Sequence, residues 1–449
     1  MKFSGVLLAT AGLVFSTGTL STAGQGIRTL LPDDGGSGER FGWSVARSGQ
    51  GAVIGAIGRG DDFAGEGASG SVILFDWTTG EQLRELTPEG SVNQEYFGSS
   101  VDFDGDRVVV GAPFAEDDDE VRNGAVYVFD VGTGEQLFRF TSEDETVNIA
   151  GGEKFGFAVA MSGSRVVVSS VGGREQGGGT SGVIPGAYVY DVYTGELIRK
   201  LELENASNWN GFMSVAAEGN MALIGTPDLS GDDIDNAFLF DVTSGGQLFE
   251  LKYPSDAVGF GASVALCGTT ALVLGAPDSA QEPGAVYAYD VTTGDLLYTL
   301  TPEGDDSFWF SHPDKSLSTD GATALVKAKI SSDGLSGDGV YVFDVTTGDV
   351  RSKFVPLPGV FTLGMSVDVA GSTALVGNPI DASNGAFSGA GYVYDLSLLS
   401  GADLNGDGVV NSADLAELLA AWGSGGPADL DGDGVTDAAD LAILLAAWG

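Results

Sequence analysis

Towards its C-terminus the chain twice repeats a spacing of oxygen-bearing side chains that suits a hard cation. The first copy runs from Asp403 to Asp414 and the second from Asp429 to Asp440. Positions 1, 3, 5, 9 and 12 hold Asp403, Asn405, Asp407, Asn411 and Asp414 in the first copy. In the second they hold Asp429, Asp431, Asp433, Asp437 and Asp440. Position 7, Val409 or Val435, offers a backbone carbonyl, so its side chain is immaterial. Gly408 and Gly434 stand at position 6, where such a loop turns sharply. Six oxygen ligands at this spacing predict calcium, one ion per loop. The side-chain ligands carry three negative charges in the first loop and five in the second. Without a cation those charges repel one another.

Each loop runs into an apolar helix, Leu415 to Trp422 and Leu441 to Trp448. Leu415, Leu418, Leu419 and Trp422 are matched by Leu441, Leu444, Leu445 and Trp448, so facing copies are expected to pack about a pseudo-twofold axis. The 47 residues from Asp403 to Gly449 give little apolar burial, which makes metal binding and folding a single expected event. A tandem of EF-hand-type loops with Asp at position 12 and no leading helix resembles a type I dockerin. The resemblance covers Asp403 to Gly449 and implies calcium-dependent docking to a cohesin-like protein or a cell-surface scaffold. Positions 10 and 11, which help select the cohesin in cellulosomal dockerins, are Ser412-Ala413 and Ala438-Ala439 here.

The remainder of the chain is a repeat. Between Phe97 and Phe140 lie four β-branched and aromatic runs, separated by Gly, Asp and Asn, which read as antiparallel strands A to D. The aspartate that closes strand C recurs at Asp76, Asp130, Asp191, Asp241, Asp290, Asp344 and Asp395. Seven copies of a four-stranded sheet, none able to bury both faces alone, predict a mainly β fold, a seven-bladed β-propeller. A Thr-Gly or Ser-Gly turn leads into strand D in the first six copies and is missing from the seventh. Ile27 to Pro32 resembles the strand D text Leu83 to Pro88, so the N-terminal strand is expected to complete blade seven beside Tyr392 to Tyr394.

Phe-Gly-x-Ser-Val at Phe97, Val-Gly-Ala-Pro ending at Pro113 and Val-Tyr-Val-Phe-Asp ending at Asp130 resemble the FG-GAP repeats of integrin α-subunit propellers. The resemblance covers Ile27 to Leu399. Copy six has Val326-Lys327-Ala328-Lys329 in place of Val-Gly-Ala-Pro. The A–B turns, such as Asp104-Gly105 and Asp320-Gly321, lack the Asp-x-Asp-x-Asp-Gly loop, so integrin-type calcium sites are not carried over. The B–C and D–A loops are longer and often acidic, and any protein or glycan ligand is expected on their face.

Other constellations are less specific. Arg59-Gly60-Asp61 spells a tripeptide that integrins recognise, but three common loop residues coincide easily. Phe308-Trp309-Phe310-Ser311-His312 reads as core aromatics and includes the single histidine, so a Ser-His-Asp triad has no other candidate base. The Asp-x-x-Thr-Gly text also resembles quinoprotein dehydrogenase propellers, whose docking tryptophan is replaced here by Leu86, Phe140 or Leu300. No catalytic residue is expected. The rival expectation is a polysaccharide-active enzyme with its site on the long-loop face.

The two resemblances together lead to the expectation of a secreted, non-catalytic interaction protein. A net charge of −43 disfavours nucleic acid and anionic membrane surfaces as partners. Lys2, an apolar run from Val6 to Phe15 and Ala23 read as a signal peptide over residues 1–23. The single cysteine, Cys267, excludes a disulfide within the chain, and no later run is long enough to span a membrane. The expected order is propeller over 24–399, linker over 400–402 and dockerin-like module over 403–449.

Overall fold

A computed structural model describes residues 28–59, 69–90, 95–116, 122–142, 154–170, 186–203, 213–227, 236–252, 259–275, 283–308, 315–331, 337–354, 363–396, 402, 404–405, 410–430 and 434–446. The signal-peptide reading lies outside these residues. Strand β1 (Arg28–Leu30) comes first, and blade one follows as β2 (Phe41–Ser48), β3 (Gly51–Ala56), β4 (Ser71–Asp76) and β5 (Glu81–Leu86). Blade two is β6 (Ser100–Asp104), β7 (Arg107–Ala112), β8 (Ala125–Asp130) and β9 (Gln136–Phe140). Blade three is β10 (Val159–Ser162), β11 (Arg165–Ser170), β12 (Gly186–Asp191) and β13 (Leu197–Glu202). Blade four is β14 (Ser214–Glu218), β15 (Met221–Thr226), β16 (Asn236–Asp241) and β17 (Gln247–Lys252). Blade five is β18 (Phe260–Cys267), β19 (Thr270–Gly275), β20 (Ala285–Asp290) and β21 (Leu296–Leu300). Blade six has β22 (Ser307–Phe308), β23 (Leu317–Thr319), β24 (Thr323–Ile330), β25 (Gly337–Asp344) and β26 (Val350–Phe354). Blade seven has β27 (Ser366–Ala370), β28 (Thr373–Asn378) and β29 (Ala390–Asp395), and β1 is its fourth strand.

Closure follows the expected register. Arg28 pairs with Val393, Thr29 with Tyr392 and Leu30 with Gly391, all antiparallel. Leu30 is fully buried in a cluster that also takes Phe41, Ile54, Leu375 and Val393, so the added strand contributes apolar packing as well as hydrogen bonds. The burial pattern explains why the repeat reads as near-continuous hydrophobic runs. Residues of β7 and β8 are buried on both faces because each blade is sandwiched, whereas the outer β5 alternates exposed and half-buried positions. Seven apolar clusters result, each built from two consecutive blades.

The repeat motif works as a set of joints between blades. Ser44 Oγ donates to Gly98 O at 2.7 Å, Ser100 Oγ to Gly156 O at 3.0 Å, Ser214 Oγ to Gly261 O at 2.8 Å and Ser366 Oγ to Gly42 O at 3.3 Å. Each serine thus grips the Phe-Gly carbonyl of the next blade, and the last of these joints closes the ring from blade seven to blade one. The glycine of Val-Gly-Ala-Pro makes room for that carbonyl: a Cβ on Gly111 would collide with Gly156 O and Ser100 Oγ. At the rim a second joint uses the Thr-Gly turn. Gly134, at φ +77°, lies against the Arg84 stem, and Arg84 donates to Gly132 O at 2.9 Å.

A third joint lies at the A–B turns. Gly105 N donates to Ser48 Oγ at 3.1 Å, Gly163 N to Asp104 Oδ2 at 2.8 Å, Gly219 N to Ser162 Oγ at 2.8 Å and Gly371 N to Asp320 Oδ2 at 2.7 Å. The side chain before each turn glycine therefore accepts from the turn of the next blade. Where integrin blades hold calcium, Asp104 and Asp320 serve as links in this chain of turns.

Candidate metal centre

The C-terminal module has two helices, α1 (Ser412–Ala420) and α2 (Ala438–Ala446), each preceded by one of the acidic loops. Its start is set by packing. Ala402, assigned by sequence to the linker, is fully buried in a small core with Val410, Leu418 and Leu444. Leu418 and Leu444 are equivalent positions of the two helices, as the pseudo-twofold expectation requires. The rest of the expected apolar face is less enclosed: Leu415 and Leu441 are partly buried, and Leu419, Trp422 and Leu445 are about half exposed. Trp448 lies outside the described residues.

The last ligand of each loop is its structural centre. Asp414 is fully buried; its Oδ1 accepts from Leu404 N at 2.8 Å and Asn405 N at 3.2 Å, and its Oδ2 accepts from Asn411 N at 2.7 Å. Asp440, also fully buried, accepts from Leu430 N at 2.6 Å and Asp437 N at 2.7 Å. Position 12 thus draws the start of the loop, ten residues back, onto the first turn of the helix. Position 9 caps the same helix. Asn411 Oδ1 accepts from Ala413 N at 2.7 Å and completes a capping box with Asp414, and Asp437 Oδ1 accepts from Ala439 N at 2.8 Å. The two carboxylates also oppose the positive ends of the helix dipoles.

Asn405, Asn411, Asp414, Asp429, Val435, Asp437 and Asp440 fall within the described residues. Asp403, Asp407, Val409, Asp431 and Asp433 fall outside them, so the structure brings together only part of each predicted ligand set. In the second loop Asp429 Oδ2 accepts from Gly434 N at 2.8 Å, with Gly434 at φ +96°. Asp429 Oδ1 is buried with no hydrogen-bond partner among the described residues. A buried carboxylate oxygen left over at ligand position 1 is the arrangement a cation would complete. Loop two is further tied to the end of α1, since Gly423 N donates to Thr436 O at 2.8 Å and Thr436 N to Ser424 O at 2.7 Å. The oxygen donors among the described residues are of the kind a hard cation takes, and Asp429 has a carboxylate oxygen to spare for one.

The other sequence signals resolve into structure. Arg59, the first residue of the Arg-Gly-Asp tripeptide, is buried and paired with Glu39 at 2.8 Å, Glu85 at 2.6 Å and Asp34. It ties the stretch after β1 to blade one and does not present its guanidinium to solvent. Phe308 is fully buried and edge-on to Tyr341 and Phe343, as Phe97 is to Tyr127 and Phe129. It therefore fills the Phe-Gly position of blade six; the neighbouring Trp309 to His312 lie outside the described residues. The Asp-x-x-Thr-Gly aspartates are turn residues. Asp344 Oδ1 accepts from Thr346 Oγ1 at 2.6 Å, Thr346 N at 2.8 Å and Thr347 N at 3.2 Å. The Thr346 hydroxyl and then Arg351 hold its carboxyl well below the usual range. Asp76, Asp130 and Asp290 have threonine-based shells of the same kind and are lowered likewise.

The comparisons with known proteins follow this division. The FG-GAP repeat model matches residues 27–75 and 81–129, and the dockerin type I domain model matches residues 401–447. Together with the seven sheets these matches define the chain as an FG-GAP-repeat β-propeller of seven blades followed by a C-terminal dockerin-type domain. Dockerin type I domains as a family are calcium-binding, and the family implies a cohesin-type partner. No curated protein matches the sequence. Among solved structures, BamB from Moraxella catarrhalis is similar over 78% of this chain and 83% of its own, at 16% identity and a TM-score of 0.39.

Proposed function

We propose that the chain is a secreted, non-catalytic interaction protein in which the propeller offers a binding face and the C-terminal module docks it, with calcium, to a cohesin-like protein or a cell-surface scaffold. The observation that carries this reading is the duplicated clamp: Asp414 and Asp440, buried at equivalent positions, hold equivalent backbone N–H groups at the start of equivalent helices. Asp403, Asn405, Asp407, Val409, Asn411 and Asp414 would hold one ion; Asp429, Asp431, Asp433, Val435, Asp437 and Asp440 would hold the second. Each ion would neutralise the carboxylates of its loop, so that the loop closes and the helix starts. The half-exposed Leu419, Trp422 and Leu445 supply apolar surface that a docking partner would cover. Among the described residues no helix is long and apolar enough to cross a membrane, and the reading places the protein outside the cell by its signal-peptide text.

The test is capture from the native secretome on the immobilised full chain, with calcium and with chelator. The expected result is a partner retained only with calcium and lost from a variant carrying both Asp403→Ala and Asp429→Ala. Capture indifferent to calcium, or to that double substitution, overturns the reading.

A further inference from the structure

Blade six lacks the inner joint that unites other blades. Lys327 occupies the place of the Val-Gly-Ala-Pro glycine, with its side chain 2% exposed and Nζ 3.8 Å from Asp338 Oδ2. Its backbone N–H donates to Ser316 O at 2.9 Å, which identifies Ser316 as the counterpart of the gripping serine Ser100. Lys327 Cγ faces Gly364, whose carbonyl would be the acceptor, and Ser316 Oγ is buried without a hydrogen-bond partner among the described residues.

Charge takes the place of that joint. The innermost strands β2, β6, β10, β14, β18, β23 and β27 contact one another in a ring around the channel. At one equivalent position four of them carry alanine, and the other three carry Asp102, Ser318 and Asp368. Each of these three accepts from the next innermost strand: Asp102 Oδ2 from Met161 N at 2.7 Å, Ser318 Oγ from Val369 N at 3.2 Å and Asp368 Oδ2 from Arg47 N at 2.8 Å. Ser318 Oγ also donates to Asp368 Oδ1 at 3.2 Å. Lys315 Nζ reaches to 3.5 Å from Asp102 Oδ1. Blades six and two are not neighbours, so this ammonium crosses the channel.

We propose that Lys315, Asp102 and Asp368 form a charge clasp across the central channel, and that it makes the seam between blades six and seven, where the serine–glycine joint is missing, a pH-responsive opening point. Burial is the main reason that the Asp368 carboxyl is pushed up to about 6. The Lys315 charge, the Arg47 N–H and the Arg47 guanidinium oppose the rise, and Asp102 adds to it. Arg47 itself donates to Ala370 O at 2.7 Å and Thr373 O at 2.8 Å and is faced by Asp320. A carboxyl raised in the folded state contributes stability that is complete below its unfolded pKa and lost as pH rises through its folded pKa. Ionisation near neutral pH therefore loosens the clasp, and acidification tightens it.

Hydrogen exchange of the full chain, corrected for intrinsic rates, tests this. Between about pH 7.5 and about pH 5, opening at β23 and β27 is expected to fall roughly tenfold, the change produced by moving one carboxyl from its ordinary value to about 6. Opening at β14 and β18, joined by Ser214 and Gly261, is expected to stay constant. Asp368→Asn should hold the low-pH level at both pH values. Lys315→Met, which leaves two carboxylates facing each other, should exchange faster at the higher pH and recover at the lower. A uniform pH response of all seams, or an Asp368→Asn variant with the wild-type response, overturns the proposal. Should Asp368→Asn fail to fold, unchanged exchange in Lys315→Met at the higher pH does the same.

Discussion

In the propeller the repeated aspartate is satisfied by its own turn, whereas in the C-terminal module it is satisfied across a whole loop. Asp130 accepts from Thr133, three residues away; Asp414 accepts from Leu404, ten residues away. A carboxylate with local donors is largely satisfied within its own turn, and at Asp130 and Asp344 an arginine, Arg107 or Arg351, pairs with the second oxygen. A carboxylate that closes a long loop brings other acids with it, and their repulsion grows as the loop closes. The same residue therefore serves as a turn element in one region and as the closing point of a loop in the other. The propeller's own closure rests on apolar clusters and on small residues that let carbonyls approach.

The comparison breaks most visibly if metal is removed. In chelator, exchange protection of α1 and α2 within the full chain is expected to vanish, while that of β7, β8, β15 and β16 is retained. Protection of the helices that survives chelation would put the module in the same class as the propeller. Next in size is the closing strand. Leu30→Ala removes a fully buried side chain and is expected to destabilise the propeller by about 2–5 kcal/mol, read as a shift in its denaturant midpoint with α1 and α2 unaffected. A smaller loss, about 1–3 kcal/mol, is expected for Gly111→Ala, where the added methyl meets the Gly156 carbonyl of the next blade. A midpoint equal to wild type would show that the blades separate without strain.

The smallest effect belongs to the turn aspartates. The Asp344 carboxyl is depressed by its Thr346 and Arg351 partners, so its contribution is present above the unfolded value and lost as pH falls through the folded one. Asp344→Asn is accordingly expected to lower the melting temperature slightly at neutral pH, with the difference disappearing in strong acid. A difference independent of pH would assign the effect to geometry instead of charge.

Much of this was legible in the chain because its information is local and repeated. Asp76 through Asp395 mark the blades, and the turn glycines mark the strand ends, each within a few residues of the hydrogen bonds they make. The β1–β29 pairing was also legible, since a missing strand D and an orphan strand-like text leave one solution. Contacts between residues remote in sequence were not. Nothing around Arg59 signals that Glu39 and Glu85 will surround it, and nothing around Lys315 signals Asp102. Phe308 escaped as a motif residue because extra chain separates it from β23, which disguises the spacing that reveals Phe97. In the module, helical periodicity singles out apolar positions without distinguishing Leu418, which packs inward, from Leu419, which faces solvent.

The register of β1 has a consequence for how the molecule is made. Its partner β29 is translated last among the propeller strands, so the earliest strand must wait for the latest before either is fully paired. At ordinary rates of synthesis that wait is on the order of tens of seconds, long compared with the microseconds in which a hairpin forms. Throughout it, the unpaired edge and the Leu30 side chain are available to other chains. Timing, as much as affinity, then decides whether the ring closes on itself.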